Sequence, residues 1–241
     1  MNRRVAHRPP RTLVSLHRTI TRCRRCPRLV EWREETARVR VRRFAEQEYW
    51  GKPLPGFGDP DARVLIVGLA PAAHGGNRTG RMFTGDESGN WLIRALHTTG
   101  FANQPVSLSR DDGLRLTDCY IVAAVRCAPP ANKPLPVEMQ RCRTFLLEEI
   151  RHLRNLRVMV GLGRIGFEAG LQACRDLGLL SFGALPKFTH GAVYRLGGMT
   201  CIATYHPSQQ NTFTGRLTRP MLNGVFRRAR REASRPTAAG S

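Results

Sequence analysis

Four of the seven cysteines are spaced as metal ligands. Cys23 and Cys26 are separated by two residues near the start of the chain, and Cys127 and Cys142 form a second pair about a hundred residues later. Where thiols stay reduced, two distant pairs can close one four-thiolate site, and sulfur ligation suits Zn²⁺ or an iron–sulfur cluster. Structural zinc is usually held by two tight knuckles, a pattern that the fourteen residues between Cys127 and Cys142 fit poorly. A [4Fe–4S] cluster therefore leads over zinc, with inert cysteines as the third reading. Cys119, Cys174 and Cys201 fall in apolar text and read as small core residues.

Three loops carry the remaining chemistry. The first, GLAPAAHGGNRTGRMFTGD, ends at Asp86 and holds five glycines, which let backbone approach a ligand and point N–H groups inward. The second, RCAPPANKP, contains Asn132; the third, HPSQQNTFTGRLT, begins at His206 and is rich in hydrogen-bond donors. Each candidate also has a plain structural reading. Asp86 is well placed to cap a following helix, Asn132 suits a turn, Phe83 could be a core aromatic, His74 could be a loop hydrogen-bonder and His206 a core residue.

The elements that must position these loops alternate. Apolar runs at 63–68, 118–125, 158–161 and 199–204 read as buried parallel strands. Helical patterns cover about 12–37, 90–99, 137–153, 165–177 and 219–232, and 50–60 reads as a Gly/Pro loop. This alternation predicts an α/β fold, a three-layer α/β/α sandwich around a mainly parallel four-stranded sheet. It forms one domain spanning 1–241, with tails 1–10 and 233–241 read as disordered. In such sheets ligands bind beyond the carboxyl ends of the strands. All three loops leave those ends, so they should converge on one site.

Charge narrows the partner. Lys+Arg total 39 against Asp+Glu 18, a net charge of +21 at pH 7. That excess favours a polyanion, nucleic acid first, although a nearly all-Arg basic set also fits a compositional bias. No apolar run is long enough to span a bilayer and no signal-peptide pattern opens the chain, so a cytoplasmic protein, without membrane and monomeric, is expected.

Six passages, in order from about 23 to 218, carry a family resemblance: CRRCPRLVEWREE, YWGKPLPGFGDP, GLAPAAHGGNRTGRMFTGD, AAVRCAPPANKP, GLGRIG and YHPSQQNTFTGRLT. Together they resemble the family 5 (type B) uracil-DNA glycosylases, which contain an iron–sulfur cluster. The resemblance implies excision of uracil, and of other deaminated bases such as hypoxanthine and xanthine, from DNA. It implies that Cys23, Cys26, Cys127 and Cys142 hold the [4Fe–4S] cluster and that Asp86 and Asn132 place the attacking water. His206 would face the base and Phe83 would stack on it. Ala70 and Ala123 stand in the base-binding region where related families carry polar residues. Arg216, Arg219, Gln209, Gln210 and Asn211 would meet DNA, with the segment Gln209 to Phe213 near the gap left by the flipped base. No lysine is an obvious Schiff-base nucleophile, apart from Lys133 beside Asn132, so a monofunctional enzyme is expected.

Two other readings compete. Gly161-x-Gly163-x-x-Gly166 fits the dinucleotide fingerprint, but 180–189 supplies neither the strand nor the acid that the fingerprint requires. The glycines then read as a tight strand-to-helix turn. A non-catalytic, metal-stabilised nucleic-acid-binding protein would also explain charge and cysteines, but it has no need for Asp86, Asn132 and His206 at converging loops.

Overall fold

The computed structural model describes residues 12–235. In chain order the helices are α1 (Leu13–Thr21), α2 (Pro27–Val39), α3 (Gly76–Thr79), α4 (Glu87–Thr98), α5 (Pro136–His152), α6 (Gly163–Asp176), α7 (Gln209–Phe213) and α8 (Arg219–Ala233). The strands are β1 (Phe57–Gly58), β2 (Val64–Gly68), β3 (Cys119–Ala123), β4 (Val158–Leu162), β5 (Val193–Leu196) and β6 (Met199–Thr204), and 3₁₀ turns cover Arg42–Phe44 and Pro130–Asn132.

These strands form one sheet in the order β1-β3-β2-β4-β6-β5. The inner pairs β3–β2, β2–β4 and β4–β6 are parallel, whereas β1 and β5 close the two edges antiparallel. The four expected strands are the four inner ones, and the sheet has six. Both edge strands were hidden for physical reasons: β1 is two residues inside Gly/Pro text, and β5 is partly solvated rather than continuously apolar.

Alternation along the strands divides the core. Val64, Ile66, Ile121 and Val160 face α4 and α8, packing with Leu92, Leu96, Val225 and Phe226. Leu65, Val67, Val122 and Met159 face α5 and α6, packing with Leu146, Ile150, Phe167 and Leu171. Such two-sided burial explains why each inner strand reads as an unbroken apolar run.

The glycine fingerprint is absorbed by packing. A Cβ on Gly161 would stand 2.3 Å from the Cα of Phe167, and one on Gly166 would stand 2.5 Å from the Val67 carbonyl oxygen. Gly163 takes φ +76° at the turn into α6. These glycines let the helix lie against the sheet.

Two further expectations are corrected. The helix over 12–37 is two helices, broken at Cys23–Cys26, because Pro27 lacks the N–H that would continue α1 and instead starts α2. The 233–241 tail begins too early: Ala233 is fully buried in α8, and Arg235 pairs with Glu232 at 2.9 Å. The rest of that tail, and 1–10, lie outside the described residues.

Candidate active site and cysteine cavity

Three loops meet at the carboxyl edge of the sheet and enclose a cleft of about 590 Å³. The β2–α4 connection supplies Ala70, Phe83 and Asp86, the 3₁₀ turn after β3 supplies Asn132, and the segment after β6 supplies His206, Gln209 and Gln210. The convergence expected from the strand order is therefore present.

Phe83 is held in an unusual backbone state, φ +51°, with its ring only 3.2 Å from where a Gly68 Cβ would stand. A non-glycine residue there is strained and must be fixed by its surroundings. Buried Arg81 does this. Its guanidinium donates to Thr84 Oγ1 at 2.9 Å and to both Asp112 oxygens at 2.9 and 2.8 Å, while Thr84 and Ser107 hydroxyls meet at 2.7 Å. The Phe83 ring lies 5.9 Å from that of His206, tilted by 34°. Together the two rings make one wall of a slot.

Asp86 has both its structural and its site reading. Its Oδ1 accepts from the Gly89 N–H at 2.8 Å and caps α4. Its Oδ2 lies so near Gly75 that a Cβ there would sit 1.8 Å away. Burial raises its pKa above the ordinary carboxylate value, against the lowering effect of the Gly89 N–H and of Arg78. Burial drives His206 the other way, down to about 4, so its imidazole is neutral at physiological pH. Asn132 takes φ +56° and stands exposed at the rim.

Two expected site residues are placed elsewhere. Ala123 is fully buried within β3, paired with Gly68, and does not line the cleft. Asn211 donates its side-chain amide to the His206 carbonyl at 2.9 Å, which braces the loop instead of offering the amide outward. Arg216 and Arg219 are exposed beside the site, their guanidiniums over Tyr205 at 4.5 Å and Trp91 at 5.5 Å. Gln209, Gln210 and Phe213 lie on α7, and Phe213 is 76% exposed. Sequence reasoning missed Glu87 and Ser88 in the cleft wall. The nearest signal was their place directly after Asp86.

The four spaced cysteines also come together. Cys23, Cys26, Cys127 and Cys142 line one cavity between the α1–α2 junction, the β3 exit and α5. Arg33 Nη1 donates to Cys127 Sγ at 3.6 Å, and the Arg126 backbone N–H donates to Cys142 Sγ at 3.3 Å. Burial and neighbouring sulfurs push the thiols up, Cys127 to about 12 and Cys142 to about 11. Arg33 Nε is buried with no hydrogen-bond partner. Among the described residues, no group of three or more His, Cys, Asp or Glu is arranged to hold a single metal ion.

A model of the uracil DNA glycosylase superfamily matches residues 55–230. The chain belongs to that superfamily. It is 52% identical over 220 residues to a type-5 uracil-DNA glycosylase of Thermus thermophilus, covering 89% of this chain and 95% of that protein. A type-5 uracil-DNA glycosylase of Mycobacterium tuberculosis is 50% identical over 224 residues, 92% of this chain and 82% of the relative. A type-4 uracil-DNA glycosylase of Thermotoga maritima reaches 31% over 154 residues, 64% of this chain and 68% of the relative. Within the uracil-DNA glycosylase superfamily the chain therefore falls with the type-5 enzymes. The superfamily match includes β2, β3, β4 and β6 and all three cleft-forming loops, while Cys23 and Cys26 lie before it. No helix among the described residues is long and apolar enough to cross a membrane.

Proposed function

We propose that the protein is a monofunctional DNA glycosylase that flips uracil out of DNA and hydrolyses its N-glycosidic bond, initiating base excision repair. One observation carries this reading: Phe83, Asp86, Asn132 and His206, from three separate stretches of sequence, line a single cleft. A base inside the duplex cannot be reached, so it must be extruded at a free-energy cost of a few kcal/mol. Stacking on Phe83 recovers roughly 1–3 kcal/mol of that.

As the bond breaks, the sugar becomes cationic and the leaving base anionic. The Asp86 carboxylate favours the cation and orients the attacking water, and Asn132 completes the water's hydrogen bonds. His206, neutral at this burial, serves the base as a hydrogen-bond donor and not as a cation. The base-side wall formed by Ala70, Pro71 and Ala72 presents no polar side chain, which suits a site that also accepts other deaminated bases such as hypoxanthine and xanthine. Arg216 and Arg219 meet phosphates, and the exposed ring of Phe213 enters the gap in the stack.

The cysteine cavity fits a [4Fe–4S] cluster. Four thiols surround it, N–H groups point at two of the sulfurs, and buried Arg33 has a free Nε to balance an anionic group. The cluster would supply structural cross-linking, since hydrolysis of this bond transfers no electron.

The test is a labelled duplex with one central uracil, incubated with enzyme and then treated with alkali. The expected result is scission only after alkali, lost with Asp86→Ala/Asn132→Ala although the duplex is still bound. Scission without alkali would indicate a lyase and implicate Lys133. Full activity of the double variant would overturn the water-placing roles. Duplex binding with no excision of uracil, hypoxanthine or xanthine would instead favour a non-catalytic binding protein.

A further inference from the structure

A furrow of about 720 Å³ continues from the cleft toward the 3₁₀ turn Arg42–Phe44, sharing Ala72, Asp86, Glu87, Asn132 and Gln209 with the cleft. Its far end is cationic. The guanidinium carbons of Arg43 and Arg78 lie 4.3 and 3.8 Å from the centroid of the Phe44 ring. Arg78 donates to three neutral acceptors: the His74 carbonyl at 2.8 Å, Gln47 Oε1 at 2.5 Å and the Gly85 carbonyl at 2.7 Å. These bonds fix its position without an ion pair, and the Asp86 carboxylate in the same furrow offsets only part of its charge.

Arg43 is exposed, and neither arginine is ion-paired to a carboxylate among the described residues. Glu87, which lines both the cleft and the furrow, accepts from Trp91 Nε1 at 3.0 Å and from Asn90 Nδ2 at 3.2 Å. The face of one phenyl ring offsets only part of the repulsion between two guanidiniums. An anion placed against them relieves the rest.

We infer that this furrow seats a phosphodiester of the damaged strand directly beside the flipped nucleotide. Arg78 forms the fixed cationic wall, Arg43 the exposed contact, and Phe44 the surface that keeps both guanidiniums in place. The inference rests on the glycosylase reading, because a strand whose nucleotide occupies the cleft must continue past Asp86 and Asn132. It adds a second basic track to the one formed by Arg216 and Arg219.

The test combines Arg43→Ala and Arg43→Lys with duplexes carrying one neutral methylphosphonate, 5′ or 3′ of the uracil. For Arg43→Ala, KM should rise about five- to twentyfold with kcat within twofold, and the slope of log KM against log salt should fall by about one. Arg43→Lys should recover part of the KM. At one of the two positions the methylphosphonate should weaken the wild-type enzyme and leave Arg43→Ala no weaker than before. An unchanged KM and salt slope, a loss confined to kcat, or a methylphosphonate penalty undiminished in Arg43→Ala at both positions would overturn the inference. A wild-type enzyme that excises nothing would overturn the glycosylase reading instead, whatever Arg43 does.

Discussion

Asp86 and His206 are displaced from their ordinary protonation behaviour by the same cause, burial, with opposite consequences. For Asp86 the folded pKa lies above the unfolded one. Its contribution therefore favours folding below the ordinary carboxylate pKa and is lost as pH rises through the raised value. At pH 7 the ionised side chain is thus a local burden on the fold that the chemistry requires. Asp86→Asn keeps an acceptor for the Gly89 N–H while removing the charge. Its thermal midpoint at pH 7 is expected to be equal to or above that of the wild type, while single-turnover excision falls at least about a hundredfold. A clearly lowered midpoint would show that the carboxylate stabilises the fold. For His206 the folded pKa, about 4, lies below the unfolded one. Its contribution is complete above the ordinary histidine pKa and is lost as pH falls toward 4. The acid limb of the wild-type pH–rate profile should then follow Asp86, with no step near pH 6.5 from His206.

At the scale of elements, the seat of Asp86 is built by its neighbours. The short helix α3 turns the chain so that Gly75 faces the carboxylate, and Asn77 ties this turn to α2 by donating to the Arg33 carbonyl at 3.2 Å. A Cβ at Gly75 would collide with the Asp86 carboxylate, so the position needs glycine on steric grounds. Gly75→Ala should push the carboxylate aside, lowering excision by tenfold or more with KM nearly unchanged. Stability should fall by about 1 kcal/mol, the worth of a helix cap. Wild-type turnover in this variant would show that the exact placement of Oδ2 does not matter. Much of this was legible beforehand: an aspartate before a helix is a capping signal, and a loop leaving a strand's carboxyl end is a site signal. That one carboxylate does both was not, because capping uses only one of its two oxygens.

On the scale of the whole molecule, the cysteine cavity joins parts of the chain that are far apart in sequence. Its lining comes from α1–α2, from α5 and from the exit of β3. Directly beside it, buried Arg126 pairs with buried Glu149, which also accepts from the Gly56 N–H at 2.7 Å and lies 3.3 Å from His17 Nε2. Polar groups as well as apolar packing hold this region, and the proposed [4Fe–4S] cluster would add a cross-link to it. Cys127→Ser is expected to lose the visible iron–sulfur absorbance and to lower the thermal midpoint by several degrees. An unchanged midpoint after loss of that absorbance would show that the cluster does not cross-link the fold.

The sequence by itself determined the four inner strands, the helices behind them, the three converging loops and the pairing of distant cysteines. It did so because burial on both faces writes continuous apolar runs, and strand direction places the loops between them. Only the tertiary structure decided what depends on contacts between distant residues. It put Ala123 beneath the site and not in its wall, turned the Asn211 amide inward, and made the fingerprint glycines into packing contacts. It also brought Arg43 and Phe44 beside the cleft to meet Arg78 from the separate glycine-rich loop. Local pattern records which face of an element is buried. It carries no record of which distant side chains will share a cavity, and that sharing sets the protonation of Asp86 and His206.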